Sequence, residues 1–320
     1  MTETYTRPDV RAVLDMLAAQ EGPQMHEVDP PTARLMMLAM KELTETPRGE
    51  LARCEDFVIP SGPNSEGGHD IPARIYQAKA ADSPAPVMTF YHGGGWVIGD
   101  LDSHDSFCAE VARLLDMTVV AVDYRLAPEH PFPAAGEDCI AATKWAAGSP
   151  DVIGHQVTGL VPCGDSAGGN MAAVVCQELQ GKLDVPILAQ WLIYPGVDQD
   201  ADTGSMQDFA EGHLLTGEGM KWFGDHYLGT QDRAQPGASP LNADLAGQPP
   251  ALVFTCGLDP LRDQGRAYAA KLIGSGVRTI FREAAGQIHG CITLRQAIPS
   301  AQTDVENCVR DLKLLLAGAA

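Results

Sequence analysis

The chain of 320 residues is 45% hydrophobic, enough to bury a large core, and its length suits one α/β domain with an elaboration better than two independent domains. Acidic residues number 42 against 22 basic, a net charge of −20 that sets nucleic acid aside as a partner and reads as a solvated acidic surface. Eight scattered cysteines without a C-x-x-C pair fit reduced, buried thiols better than a disulfide framework or a zinc site, and no stretch approaches the roughly 18 apolar residues of a membrane span.

The first residues carry no basic segment followed by an apolar one, so a soluble, cytoplasmic protein is expected. Helical patterns occupy Pro8 to Ala19 and Pro31 to Leu43. Strand-like runs follow at Cys54 to Pro60, Pro72 to Gln77 and Val87 to Tyr91, and the last leads into His92-Gly93-Gly94-Gly95-Trp96. Ser103 to Leu115 reads as helix and Thr118 to Asp123 as strand. Prolines then hold a meandering loop up to Ala134, within which Asp123, Arg125 and Glu129 can pair. A helix over Ala134 to Ala147 and a strand over Val157 to Cys163 reach Gly164-Asp165-Ser166-Ala167-Gly168, from which a small-residue helix runs to Leu179. Pro186 to Tyr194 predicts the next strand, and Phe209 to Leu228 reads as helix and loop with Trp222, Phe223 and Tyr227 on an apolar face. Strand-like runs at Ala251 to Cys256 and Arg278 to Glu283 are separated by a helix over Leu261 to Ile273. A last helix, Ala301 to Leu316, carries the stripe Val305, Val309, Leu312 and Leu316. The alternation predicts an α/β fold: a mostly parallel sheet of eight strands flanked by helices on both faces, with ligand chemistry at the carboxyl ends of the strands.

Gly164 to Gly168 is the most informative stretch. A serine on a sharp strand-to-helix elbow needs strained backbone, and only glycine or very small residues fit two positions before and after it. The run of three glycines after His92 lets bare backbone N–H groups crowd toward a ligand atom, as acyl transfer requires where negative charge develops on the former carbonyl oxygen. A serine hydroxyl also needs a base, and the base an orienting carboxylate. Of the histidines after Ser166, His213 and His226 lie in the mixed segment, whereas His289 sits in the Gly-bounded Gly286 to Gly290 directly after a strand. The acid falls between them in chain order, at Asp259 or Asp263; Asp259 is closer to the strand tip, and Asp263 lies a turn into the helix that Pro260 starts. There is no G-x-G-x-x-G after a strand, no Walker loop and no His-Glu-x-x-His, so no cofactor and no metal are expected.

Four patches together, His92 to Trp96, Asp123 to Ala134, Gly164 to Asn170, and Asp259 to Asp263 with His289-Gly290, make the chain resemble the hormone-sensitive-lipase-like branch of the α/β-hydrolases, the bacterial carboxylesterases with HGGG and GDSAG motifs. The resemblance implies Ser166 as nucleophile, Asp259 as acid and His289 as base, with the N–H groups of Gly94, Gly95 and Ala167 as oxyanion donors. Where that family commonly has Glu and an aromatic residue, this chain has Gln264 after Asp263 and Cys291 after His289-Gly290. The family's helical cap corresponds to residues 1–50 and an insertion at 196–229, leaving 51–195 and 230–320 as the two parts of the hydrolase core. Met36, Met40, Phe209 and Leu215 are then substrate-contact candidates, with Trp96 as a pocket wall and Asp165 beside the nucleophile.

The function this implies is hydrolysis of short- to medium-chain carboxylic esters of small molecules through an acyl-enzyme. Lactones, amides or carbamates would suit the same three side chains. A non-catalytic small-molecule-binding protein on the same fold is the reading from another class, and the joint presence of Ser166, Asp259 and His289 disfavours it. No membrane partner is expected, since no interfacial element stands out. A homodimer fits the family, and nothing in the residues compels it.

Overall fold

A computed structural model describes residues 5–19, 21–60, 69–80 and 82–318. Its eight strands are β1 (Arg53–Ile59), β2 (Ile71–Gln77), β3 (Ala85–Tyr91), β4 (Thr118–Val122), β5 (Val157–Asp165), β6 (Gln190–Ile193), β7 (Ala251–Leu258) and β8 (Thr279–Ile288). They form one sheet in the order β1-β2-β4-β3-β5-β6-β7-β8. The β1–β2 and β2–β4 pairs are antiparallel and every later pair is parallel, with Tyr91 opposite Gly164 and Asp165 opposite Ile193. The fold class is therefore the expected α/β-hydrolase sheet.

The central strands β3 to β7 are buried on both faces because helices cover both. On one face α4 (Ala134–Ala147), α5 (Ala167–Leu179) and α8 (Arg262–Gly274) pack over Val87, Tyr91, Leu160 and Val253. On the other, α1 (Pro8–Ala18), α3 (Asp105–Leu115) and α9 (Ser300–Ala317) cover Met88, Phe90, Val161, Cys163 and Leu252. Successive residues of a strand point to opposite faces, which is why Tyr91 and Phe90 belong to different layers. The stripe Val305, Val309, Leu312 and Leu316 does pack inward, Leu316 less completely than the others.

The remaining helices are α2 (Pro30–Thr44), α6 (Gly204–Asp208) and α7 (Gly217–Tyr227). Helix α2 starts at Asp29, whose carboxylate accepts the Thr32 N–H ahead of two prolines, and α7 starts at Thr216, whose hydroxyl accepts the Gly219 N–H. The two outlying segments meet where α7 packs on the short turn Met25–Glu27. Helix α1 docks elsewhere: Val10, Val13 and Leu14 are buried against β8, and Arg7 pairs with Asp304 at 2.6 Å. Leu35 of α2 is 68% exposed.

Other local expectations are corrected by the structure. Strand β8 runs on through Gly286 to Ile288, so His289 follows a strand end directly instead of lying in a loop; a register shift opposite Cys256 and Leu258 absorbs the extra residues. Asp123, Arg125 and Glu129 do not pair with one another. Arg125 binds Asp138 at 2.9 Å, Glu129 takes Arg34 of α2 at 2.7 Å, and Asp123, largely buried among further carboxylates, is pushed up to about 6. Among the described residues no helix is long and apolar enough to cross a membrane.

The elbow between β5 and α5 depends on close backbone approach. A Cβ on Gly168 would overlap the Tyr91 carbonyl oxygen of β3, and one on Gly164 would overlap the Gly168 carbonyl. Gly168→Ala is therefore expected to cost about 1–3 kcal/mol or more, seen as a lowered Tm in a thermal melt. Gly136→Ala in α4 is the control, since its methyl would meet only Met171 Sδ at 3.8 Å; the same melt should show Tm unchanged or raised.

Candidate active site

Three strand ends converge at the carboxyl edge of the sheet. Ser166 stands between β5 and α5 with φ of +56°, a left-handed conformation that costs energy for a residue with a side chain and lifts the hydroxyl out of the turn. Helix α5 can run beneath it because it opens on Ala167, Gly168 and Gly169 and is buried along almost its whole length. Asp259 follows β7 and His289 follows β8. The Ser166 Oγ lies 2.8 Å from His289 Nε2, and His289 Nδ1 lies 2.8 Å from Asp259 Oδ2.

Burial and hydrogen bonding set the protonation pattern along this line. Asp259 is fully buried, and its other oxygen accepts the Leu261 N–H at 2.8 Å. A carboxylate can only accept, so His289 carries its proton on Nδ1 and presents Nε2 as acceptor to the Ser166 hydroxyl. Tyr194 packs its ring against the imidazole at 4.5 Å. Cys291 is fully buried and rests its sulfur 3.7 Å from that of Cys256, filling the space behind the base.

The glycine run stands opposite. The Gly93 N–H is directed inward to Asp165 Oδ1 at 2.7 Å, while the N–H groups of Gly94, Gly95 and Ala167 have no partner among the described residues. His92 is not a base here. Its ring stacks on Tyr124 at 4.2 Å and its Nδ1–H donates to the Gly93 carbonyl at 2.8 Å. Burial, and next the neighbouring His104, pull it down to about 4, so it is neutral at physiological pH.

The rival residues lie apart from this line. Asp263 accepts the Ser205 N–H and pairs with Arg262 and Arg266; burial pushes its carboxyl up, but these donors outweigh it and hold it below the usual range. His213 lies edge-on to Phe209, and His226 packs on Trp222 within α7. Gln264, where the family has Glu, accepts the N–H groups of Val197 and Asp198 at 3.0 Å, a backbone-bracing role that an amide fills.

The expected substrate contacts are placed as follows. Trp96 is only 5% exposed and stacks flat on Tyr227 at 4.4 Å, joining the glycine loop to α7. Phe209 is buried with the Arg262 guanidinium over its face at 5.1 Å. Asp165 is turned into the protein. On α2, Met36 and Met40 are half-buried, and it is Met37 between them that packs on the core. Leu215 is half-buried, whereas its neighbour Leu214 reaches toward Gly290, 3.5 Å from the position a Cβ would take there. The side chain that sequence reasoning missed is Phe223, whose ring lies directly on Gly95. Its place on an apolar helix face was visible, but which neighbour that face would meet was not.

Among the described residues no group of three His, Cys, Asp or Glu side chains could hold a metal ion. An alpha/beta hydrolase fold family matches residues 88–293. The carboxylic ester hydrolase LipN of Mycobacterium tuberculosis is 44% identical over 250 residues, 75% of this chain and 65% of that protein, so the chain spans just under two thirds of that relative. The ethyl acetate hydrolase of Pseudomonas putida is 32% identical across 96% of this chain and 98% of its own. The solved structure of ester-hydrolase EH1AB1, from the metagenome of Lake Arreo and complexed with a derivative of bipyridine phosphonate, superposes with a TM-score of 0.90 at 35% identity, covering 98% of this chain and 99% of that one. With the sheet order, the serine elbow and the glycine run already in place, these likenesses establish that the chain belongs to the α/β-hydrolase family, in its hormone-sensitive-lipase-like branch.

Proposed function

We propose that this protein hydrolyses carboxylic esters of small molecules in two acyl-transfer steps on Ser166. The observation that carries this reading is the unbroken hydrogen-bonded line from Ser166 Oγ through His289 to the buried Asp259, with the N–H groups of Gly94, Gly95 and Ala167 unpartnered among the described residues. In the first step His289 Nε2 takes the hydroxyl proton as Oγ attacks the ester carbonyl carbon. The carbonyl oxygen becomes an oxyanion received by the N–H groups of Gly94, Gly95 and Ala167, and Asp259 stabilises the imidazolium. Collapse expels the alkoxide, which takes the proton from Nε2 and leaves as the alcohol. Water then attacks the acyl-serine by the same route, releasing the acid and restoring Ser166.

The segment around α2 with its preceding turn, together with the insertion at 196–229, serves as the cap over this site. Phe223 against Gly95, Leu214 beside Gly290 and the packing of α7 on Met25–Glu27 support that assignment. Helix α1 contributes by sealing β8. A rigid aromatic ring lying on the oxyanion loop leaves little depth beside it, which favours short acyl or alcohol groups, in keeping with the relative named ethyl acetate hydrolase.

Ser166→Ala is expected to abolish turnover of p-nitrophenyl acetate and labelling by a fluorophosphonate while the circular dichroism spectrum stays the same; activity near that of the parent would remove the nucleophile assignment. Asp259→Asn should lower kcat by roughly 10⁴ through loss of imidazole orientation, with Asp263→Asn far milder; steady-state kinetics showing the reverse order would make Asp263 the acid. Phe223→Ala should raise kcat/KM for p-nitrophenyl octanoate relative to the acetate by at least about tenfold. A rate profile from acetate to palmitate that keeps its shape would show that this ring does not limit the pocket.

A further inference from the structure

Asp165 presents an expensive arrangement that the triad does not use. The residue is 4% exposed, yet both side-chain oxygens are engaged: Oδ1 accepts the Gly93 N–H at 2.7 Å and His104 Nε2–H at 3.1 Å, and Oδ2 accepts the Tyr194 hydroxyl at 3.3 Å. A Cβ on Gly93 would overlap the carboxylate, so glycine loop and carboxylate are in tight contact. His104 is itself buried, at 2% exposure, and is held from behind by Ser103 Oγ, 2.9 Å from Nδ1. Ser103 in turn closes a turn with Asp100 through both backbone groups of that residue.

We infer that the buried His104–Asp165 pair is a positioning device for the reaction centre, acting on the oxyanion donors through Gly93 and on the base through Tyr194. The two contacts run in opposite directions from one carboxylate. Drawing the Gly93 N–H inward leaves the next two N–H groups of the loop, on Gly94 and Gly95, for the cleft. Holding the Tyr194 hydroxyl fixes a ring that packs on His289. A loop of three glycines has little stiffness of its own, so donors meant to meet an oxyanion need an outside anchor to be in place before the charge develops. The anchor is most effective as a carboxylate, because charge-assisted hydrogen bonds are shorter and stronger than neutral ones. Burial works against an ionised Asp165, but the adjoining His104 and the Gly93 N–H outweigh it and keep the carboxyl below its usual range. An aspartate serving only the dipole of α5 would instead engage the first N–H groups of that helix, and no such bond is present among the described residues.

This inference rests on the esterase reading, and the test separates the two. The parent must first turn over p-nitrophenyl acetate and be labelled at Ser166 by a fluorophosphonate; if it does neither, the esterase reading fails before the pair is tested. Asp165→Asn, which keeps shape, and His104→Gln, which keeps a donor, are then measured per serine titrated to completion with the fluorophosphonate. The expected result is a kcat lowered by about 10- to 100-fold, less than the roughly 10²–10³ for losing one oxyanion donor outright. Affinity for a trifluoromethyl ketone, which forms a tetrahedral adduct, should fall in parallel, while binding of the matching methyl ketone stays within twofold. A purely structural role would lower Tm and the titratable fraction but leave both rate per serine and analogue affinity intact, and that result overturns the inference. Where one variant does not fold, the other decides on the same readouts.

Discussion

The contact between the end of β3 and the turn from β5 into α5 is the constraint on which the site depends. Tyr91 and Gly164 are opposite one another in the sheet, and the Tyr91 carbonyl lies where any side chain on residue 168 would go. This approach brings the residues after Tyr91, the glycine run, alongside the residues after Gly164, the serine elbow. The glycine run and the serine elbow are thus neighbours because two parallel strands are neighbours. The positive backbone φ of Ser166 is the local cost, offset by an α5 helix buried along almost its whole length.

Charge is handled differently inside and outside. The net charge of −20 is spread over a surface where water screens it. At the site, the carboxylates of Asp259 and Asp165 are both almost wholly buried, and each has imidazole and backbone N–H partners. A further buried pair, Arg295 with Glu45 at 3.1 Å, ties the chain after His289 to the end of α2, where the Gln296 and Ala297 N–H groups also meet the Thr44 carbonyl. Such pairs contribute little net stability compared with apolar packing, but breaking one leaves an uncompensated charge. They therefore hold register between segments far apart in sequence.

The insertion between β6 and β7 shows how one helix can couple enclosure to chemistry. Helix α7 reaches the glycine loop through two aromatic contacts, Tyr227 on Trp96 and Phe223 on Gly95, while facing the turn before α2 with another side. Movement of α7 would be felt at the glycine loop. The aromatic residue beside the glycines is thereby a structural bolt between that loop and α7.

All eight strands and both long-range motifs were legible in the amino-acid order, because strand periodicity, a small-residue helix and glycine at enforced positions are local signals. Asp259 could be ranked above Asp263 from its place at the strand tip, and the two lie in the site and beside it respectively. The two segments outside the alternation, 1–50 and 196–229, could be assigned only through the family resemblance, since their packing partners lie far away in the chain. Trp96 and Phe209 were expected to meet substrate, and each has a partner within the protein, Tyr227 and Arg262, while Met36, Met40 and Leu215 stay half-buried. Likewise Asp165 read as a motif residue, but its bonds to Gly93, His104 and Tyr194 span three separate stretches of chain. Chemistry-bearing residues were determined by the sequence because their geometry is imposed by backbone within a few positions. Which partners the apolar helix faces meet was decided by tertiary packing, because the rotation of a helix and the partner of its apolar face depend on residues far away in the sequence.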